Sequence, residues 1–224
     1  MPTARLAVCG ALAYALAAPA AAHAAPTLQP LQPCYVSAGP TQREPVLLSA
    51  SGFTPNAQVD VTIDGAPVAD AGRVQTDPSG AFEGSVPAPY RRRGEAPFTV
   101  TLTETGNPAN SVSVDSRVTA LTVDVRPRQA APTRRVRFSG RGFTDPSSPV
   151  YAHYVFGGRV RETVAMGRPR GACGTFSARR RQIPVRPRTG TWLVQFDQLA
   201  RYTDPPQAIF VQLQIRVFRS FPQG

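Results

Sequence analysis

Apolar residues in this chain fall in short alternating runs set between glycines and prolines. No window of 12 or more residues keeps apolar positions at helical spacing. Val46-Leu47-Leu48-Ser49, Val59-Asp60-Val61-Thr62-Ile63 and Phe98-Thr99-Val100-Thr101-Leu102 are of this kind, and they predict strands joined by tight turns. The landmarks recur in one order. Gly52-Phe53-Thr54 returns as Gly142-Phe143-Thr144 at an offset of 90. Gly80-Ala81-Phe82 returns as Gly174-Thr175-Phe176, and Val86-Pro87 as Ile183-Pro184. Gly94 and Gly190 each open a further run. A long alternating strand then closes each copy, Ala120–Val125 in the first and Ile209–Val217 in the second.

Two copies of about 90 residues with seven or so strands each fit an all-β chain of two tandem immunoglobulin-like β-sandwich domains. A closed barrel is the alternative. The expected boundaries are 34–126 for the first sandwich and 127–220 for the second, with a linker at 126–132. Residues 1–24 read as a signal peptide: Arg5, an apolar run from Leu6 to about Leu16, then Ala22-His23-Ala24 before the cut. The run is shorter than the ~20 residues of a spanning helix. Residues 25–33 are an N-terminal extension. The chain is thus expected to be secreted and to associate with the cell envelope.

Three cysteines are present, and Cys9 leaves with the signal. Neither copy holds two of the others, so no bridge within one sandwich is available. In a secreted chain, Cys34 and Cys173 favour one disulfide, with two separate thiols as the alternative.

Charge divides the halves. All 25 basic residues are Arg. Residues 25–127 carry 7 Arg against 10 Asp and Glu, a net of −3, whereas 128–224 carry 17 against 4, a net of +13. Residues 178–188 read ARRRQIPVRPR. Against the first copy, this stretch is longer by roughly the Arg179-Arg180-Arg181 run. With Arg186 and Arg188 it makes an exposed basic ridge, because five guanidinium groups cannot all find buried partners. An arginine fork fits phosphate and carboxylate. The expected partner is an anionic cell-envelope polymer or a phospholipid surface, with a protein partner at a sheet edge or loop as the alternative. Nucleic acid is disfavoured, since Trp192, Val194 and Phe196 align as core and leave no stacking platform.

Tyr151-Ala152-His153-Tyr154 looks like chemistry. Allowing one extra residue in the turn, it aligns with Asp60–Ile63. Val150, Ala152 and Tyr154 then face the core, while Tyr151 and His153 form an exposed aromatic face. His153 is the only histidine after His23. A cluster of imidazoles for a metal is excluded, no cofactor motif is present, and no G-x-S-x-G nucleophile motif occurs. The expected activity is binding without catalysis, with a hydrolase around His153 as the remote alternative.

The second copy carries distinctive stretches: Arg141-Gly142-Phe143-Thr144, Tyr151–Val155, Gly171-Ala172-Cys173-Gly174-Thr175-Phe176 and Gly190–Asp197. With Ser51-Gly52-Phe53-Thr54-Pro55, these residues resemble secreted tandem immunoglobulin-like proteins of high-GC Gram-positive (actinobacterial) bacteria. The resemblance implies an extracellular tandem sandwich and no reaction.

Overall fold

The computed structural model describes residues 25–68 and 73–218, all strand, turn and loop. The signal-peptide segment, 1–24, lies outside the described residues. The first half contributes β1 (Thr27–Leu28), β2 (Tyr35–Ser37), β3 (Pro45–Ser51), β4 (Gln58–Ile63), β5 (Ala66–Pro67), β6 (Arg73–Gln75), β7 (Phe82–Pro87), β8 (Glu95–Glu104) and β9 (Asn107–Ala120). The second contributes β10 (Thr122–Arg126), β11 (Arg135–Arg141), β12 (Val150–Phe156), β13 (Arg159–Gly167), β14 (Phe176–Arg181), β15 (Gly190–Asp197) and β16 (Val211–Val217).

These strands form two tandem immunoglobulin-like sandwiches. In the first, the sheet β1-β3-β7 packs against β2-β9-β8-β4-β5, with β6 also paired to β4. In the second, β10-β11-β14 packs against β13-β12-β15-β16. Each core is the set of alternate apolar positions from both sheets. Val46, Leu48, Val59, Val61, Phe82 and Phe98 lie in the first, and Val136, Phe138, Val150, Ala152, Phe176 and Phe196 in the second.

The repeat holds at the level of atoms. Ala50 pairs with Phe82 as Gly140 pairs with Phe176. Phe53 N–H donates to Gly80 O at 3.2 Å, and Phe143 N–H to Gly174 O at 3.2 Å. Gly80 and Gly174 have φ of 77° and 55°, and a Cβ on either would run into the carbonyl oxygen of its phenylalanine. Only glycine allows this approach.

Three expectations need correction. The strand at Ala120–Val125 does not close the first copy. β9 ends at Ala120, and β10 pairs with β11, so the second sandwich starts near Thr122 and not at 127. Alternation runs unbroken across the boundary, which hid the change of sheet. The extension at 25–33 is part of the first sandwich, since β1 pairs with β3 and Leu28 is buried. Arg179-Arg180-Arg181 is not an insertion. It is the second half of β14, and Arg180 stands opposite Val136 where Val86 stands opposite Val46.

Cys34 and Cys173 form the disulfide, with Cα atoms 5.2 Å apart. It joins the segment before β2 to the β13–β14 turn. The junction is packed as well as bridged. Val36 and Leu121 belong to the second core, and Leu121 N–H donates to Ser37 O at 2.9 Å. The bridge spans 139 positions of sequence. On the chain-entropy account, a loop that long constrains the unfolded chain strongly. Replacing both cysteines by serine should cost about 2–5 kcal/mol of unfolding free energy, measured by chemical denaturation.

Candidate functional site

The outer face of β10-β11-β14 is set by register. Cross-strand partners share a face, so β-pairing places Arg126 beside Arg137 and Arg137 beside Arg179, with Arg135 beside Arg181 in the next row. All five are exposed. Opposed Cβ atoms sit about 4.5–5.5 Å apart, and like charges there are destabilising. Asp124, one row away opposite Ser139, is the only carboxylate on the three strands. Among the described residues the five guanidinium groups make no ion pair, unlike Arg117, which pairs with Glu95.

The sequence-predicted arginines divide three ways. Arg179 and Arg181 join this face. Arg180 turns to the core side and donates to Arg179 O at 3.0 Å and Ala165 O at 3.2 Å. Arg186 and Arg188 lie in the β14–β15 connection, where they line a separate groove with Arg161 and Trp192. Arg126, Arg135 and Arg137 went unnoticed in the sequence. The alternation Arg135-Val136-Arg137-Phe138 was their signal, but only strand pairing sets them beside Arg179 and Arg181.

The exposed aromatic face at Tyr151 and His153 is a correction. His153 does point away from the sandwich core, as alternation requires, yet it is 0% exposed, and Tyr151 is half-buried. The β15–β16 connection covers that face. His153 Nε2 lies 3.1 Å from Asp197 Oδ1 and 3.1 Å from Leu199 O, and the Tyr202 ring packs edge-on 5.8 Å away. Both Nε2 partners are acceptors, so Nε2 carries a proton. Nδ1 meets Thr163 Oγ1 at 3.0 Å. Gln195, beside His153 in the register, donates to Asp197 Oδ2 at 2.9 Å, and Leu199 N–H donates to Oδ1 at 2.9 Å. Gln198 fastens the same connection to the β11–β12 turn, donating to Asp145 O at 2.6 Å.

Thr163, His153 and Asp197 stand in hydroxyl–imidazole–carboxylate order, the order of a hydrolytic triad. A working triad also needs a cleft for substrate and donors for an oxyanion. Here the ring is sealed, and none of the three residues lines a described groove. What the network does chemically is hold a polar connection over a sheet face. Among the described residues no group of three or more His, Cys, Asp or Glu is placed to hold a metal ion.

No family model matches the chain, and no curated protein matches it. Solved structures with partial likeness include a biofilm-associated protein BSP domain, 13% identical, TM-score 0.27, covering 84% of this chain and 29% of that one. Others are titin Ig tandem domains, 12% identical, TM-score 0.29, covering 86% and 95%, and murine CEACAM1b, 9% identical, TM-score 0.22, covering 86% and 99%. Overlaps this loose say nothing of what the chain binds, and the immunoglobulin-like assignment stands on its own sheets.

Burial pushes the Asp197 carboxyl up, but hydrogen bonds from His153, Gln195 and the Leu199 N–H outweigh it and hold it below the usual carboxylate range. Its stabilisation is therefore fully present above an ordinary Asp value of about 3.9 and is lost as pH falls through the lower folded value. Asp197→Asn should cost about 1.5–3 kcal/mol at neutral pH, the worth of hydrogen bonds to a charged group. The gap from the parent chain should shrink as pH drops from about 4 towards 2, read from denaturation curves across that range.

Proposed function

We propose that the chain is a secreted, envelope-associated binding protein without catalytic activity, and that its second sandwich holds an anionic polymer on the outer face of β10-β11-β14. The observation that carries this reading is the pair of like-charged rows, Arg126–Arg137–Arg179 and Arg135–Arg181. Neighbours in a row are closer than the Debye length of about 8 Å at physiological salt. Dissolved salt therefore does not screen them fully from one another, and the free face carries a standing repulsion. A chain of phosphate or carboxylate groups laid along it turns that repulsion into attraction and releases its own counterions. Guanidinium suits the task because its fork takes two oxygens at once. The reading in which a protein partner adds a strand has less support here, because β14 is an edge strand lined with arginine, and charged edges oppose strand addition.

Five contacts to a flexible polyanion, at a slope near 0.7 per contact, should weaken binding about a hundredfold between about 0.05 and 0.2 M salt. Binding of long-chain polyphosphate, titrated at several salt concentrations, measures it. An Arg126→Ser/Arg137→Ser variant should bind more weakly and lower the slope by about 1.4. The same variant should be at least as stable as the parent chain, since it removes opposed like charges. Salt-insensitive retention on envelope preparations would point instead to a protein partner and sink the reading.

A further inference from the structure

One core position in the second sandwich breaks the rule that the rest obey. Val86 fills the first core opposite Val46, whereas its counterpart opposite Val136 is Arg180. Arg180 is half-buried and reaches two backbone carbonyls, leaving the other donors of its guanidinium free. Beside it lies Tyr154, 0% exposed, whose hydroxyl is buried and has no hydrogen-bond partner. Its place in the first copy is taken by Ile63. So an apolar pair at the mouth of one sandwich becomes a phenol and a guanidinium in the other.

The two residues line an open cavity of about 420 Å³ at the margin where β14 meets β12 and β13. Arg135, Arg179 and Arg181 line it too, and no carboxylate does. Glu162, paired with Tyr154 across β12 and β13, is exposed and outside the lining. Burial pushes the Tyr154 phenol up, against the charge of Arg180. It is therefore a neutral hydroxyl, able to donate, at any ordinary pH. A buried hydroxyl without a partner bears its full desolvation penalty. The half-buried Arg180 guanidinium gives up part of its hydration as well. Both penalties are offset together by one small oxyanion, which accepts from the hydroxyl and from the guanidinium fork.

We propose that this cavity is an oxyanion-binding subsite, with Tyr154 and Arg180 as its specific donors and Arg135, Arg179 and Arg181 drawing the anion in. The ligand class is a phosphate-type group, free or pendant on a polymer. As part of polymer recognition the subsite rests on the reading proposed above; as a small-anion site it is tested separately.

Inorganic phosphate is the probe, titrated calorimetrically into the full chain at constant ionic strength. The parent chain should bind it. Tyr154→Phe keeps the ring and removes only the hydroxyl, so it should fold as well or better and bind phosphate at least about tenfold more weakly. Arg180→Gln should do the same, while Arg92→Ser/Arg93→Ser, on an exposed loop of the first sandwich, should leave phosphate binding unchanged. Polyphosphate binding separates the two ideas. If Tyr154→Phe and Arg180→Gln bind both phosphate and polyphosphate like the parent chain, the subsite is wrong even where the polymer binds, and if the parent binds neither, both readings fall. If phosphate binds as described but long polyphosphate binds no better, the subsite stands, and the polymer face falls. Should only the long polymer respond to Tyr154→Phe, with free phosphate unbound, the pendant group is the ligand.

Discussion

Two packed sheets can bury side chains in one place only, the space between them. A strand sends alternate residues to opposite faces, so half of every strand is committed to that space, and the other half must be handled some other way. The whole molecule follows from how it treats those outer faces. In the first sandwich the long pair β8–β9 uses neutral hydroxyls. Thr101 meets Ser113 at 2.8 Å, Thr103 meets Ser111 at 3.0 Å, and Thr99 donates to Asp115 at 2.7 Å. Cross-strand rows of this kind stabilise a wet face. The second sandwich does neither of its faces this way. One is covered by the β15–β16 connection, bound down through His153 and Asp197. The other carries arginine against arginine.

The two copies also differ inside, and the differences meet in one region. Arg180 at the place of Val86, and Tyr154 at the place of Ile63, open the mouth of the second sandwich just below the arginine rows. Elsewhere the copies keep one plan. The phenylalanine that follows the strand-ending glycine, Phe53 or Phe143, binds the same glycine turn, and its ring enters the core. The Cys34–Cys173 bridge and the packing of Val36 against the second core make the joint between the copies part of the folded structure. Core side chains change size between the copies, as Leu48 and Phe138 do, but the exchange of apolar for polar groups is gathered at this one opening.

Alternation and turn residues made the fold legible, because both are local. The glycine–phenylalanine landmarks located equivalent turns 90 residues apart, and the cysteine count pointed to the observed bridge. What could not be read was what lies opposite or above a strand. Alternation sent His153 outward correctly, but it cannot say that residues 198–203 fold back over it. It sent Arg137 outward too, but the row with Arg126 and Arg179 exists only through pairing between segments distant in sequence. The switch of sheet between Ala120 and Thr122 was hidden for the same reason: the period continues while the partner strand changes.

Arginine in place of lysine throughout says something about composition, and composition alone would give a basic surface. It does not explain the acids. The first half balances 7 Arg with 10 Asp and Glu, while residues 128–224 set only 4 against 17. Of those four, Asp145 is spent on its own turn, accepting from Ser147 N–H and Oγ at 2.8 and 2.6 Å, and Asp197 is buried against His153. Glu162 and Asp204 lie off the arginine face. A surface made basic by codon usage would scatter its acids among its arginines, because interspersed signs lower the electrostatic energy of the free protein. Here Asp124 is the single carboxylate on the three strands where five guanidinium groups stand in adjacent rows. The free fold is left less stable than it need be at that face.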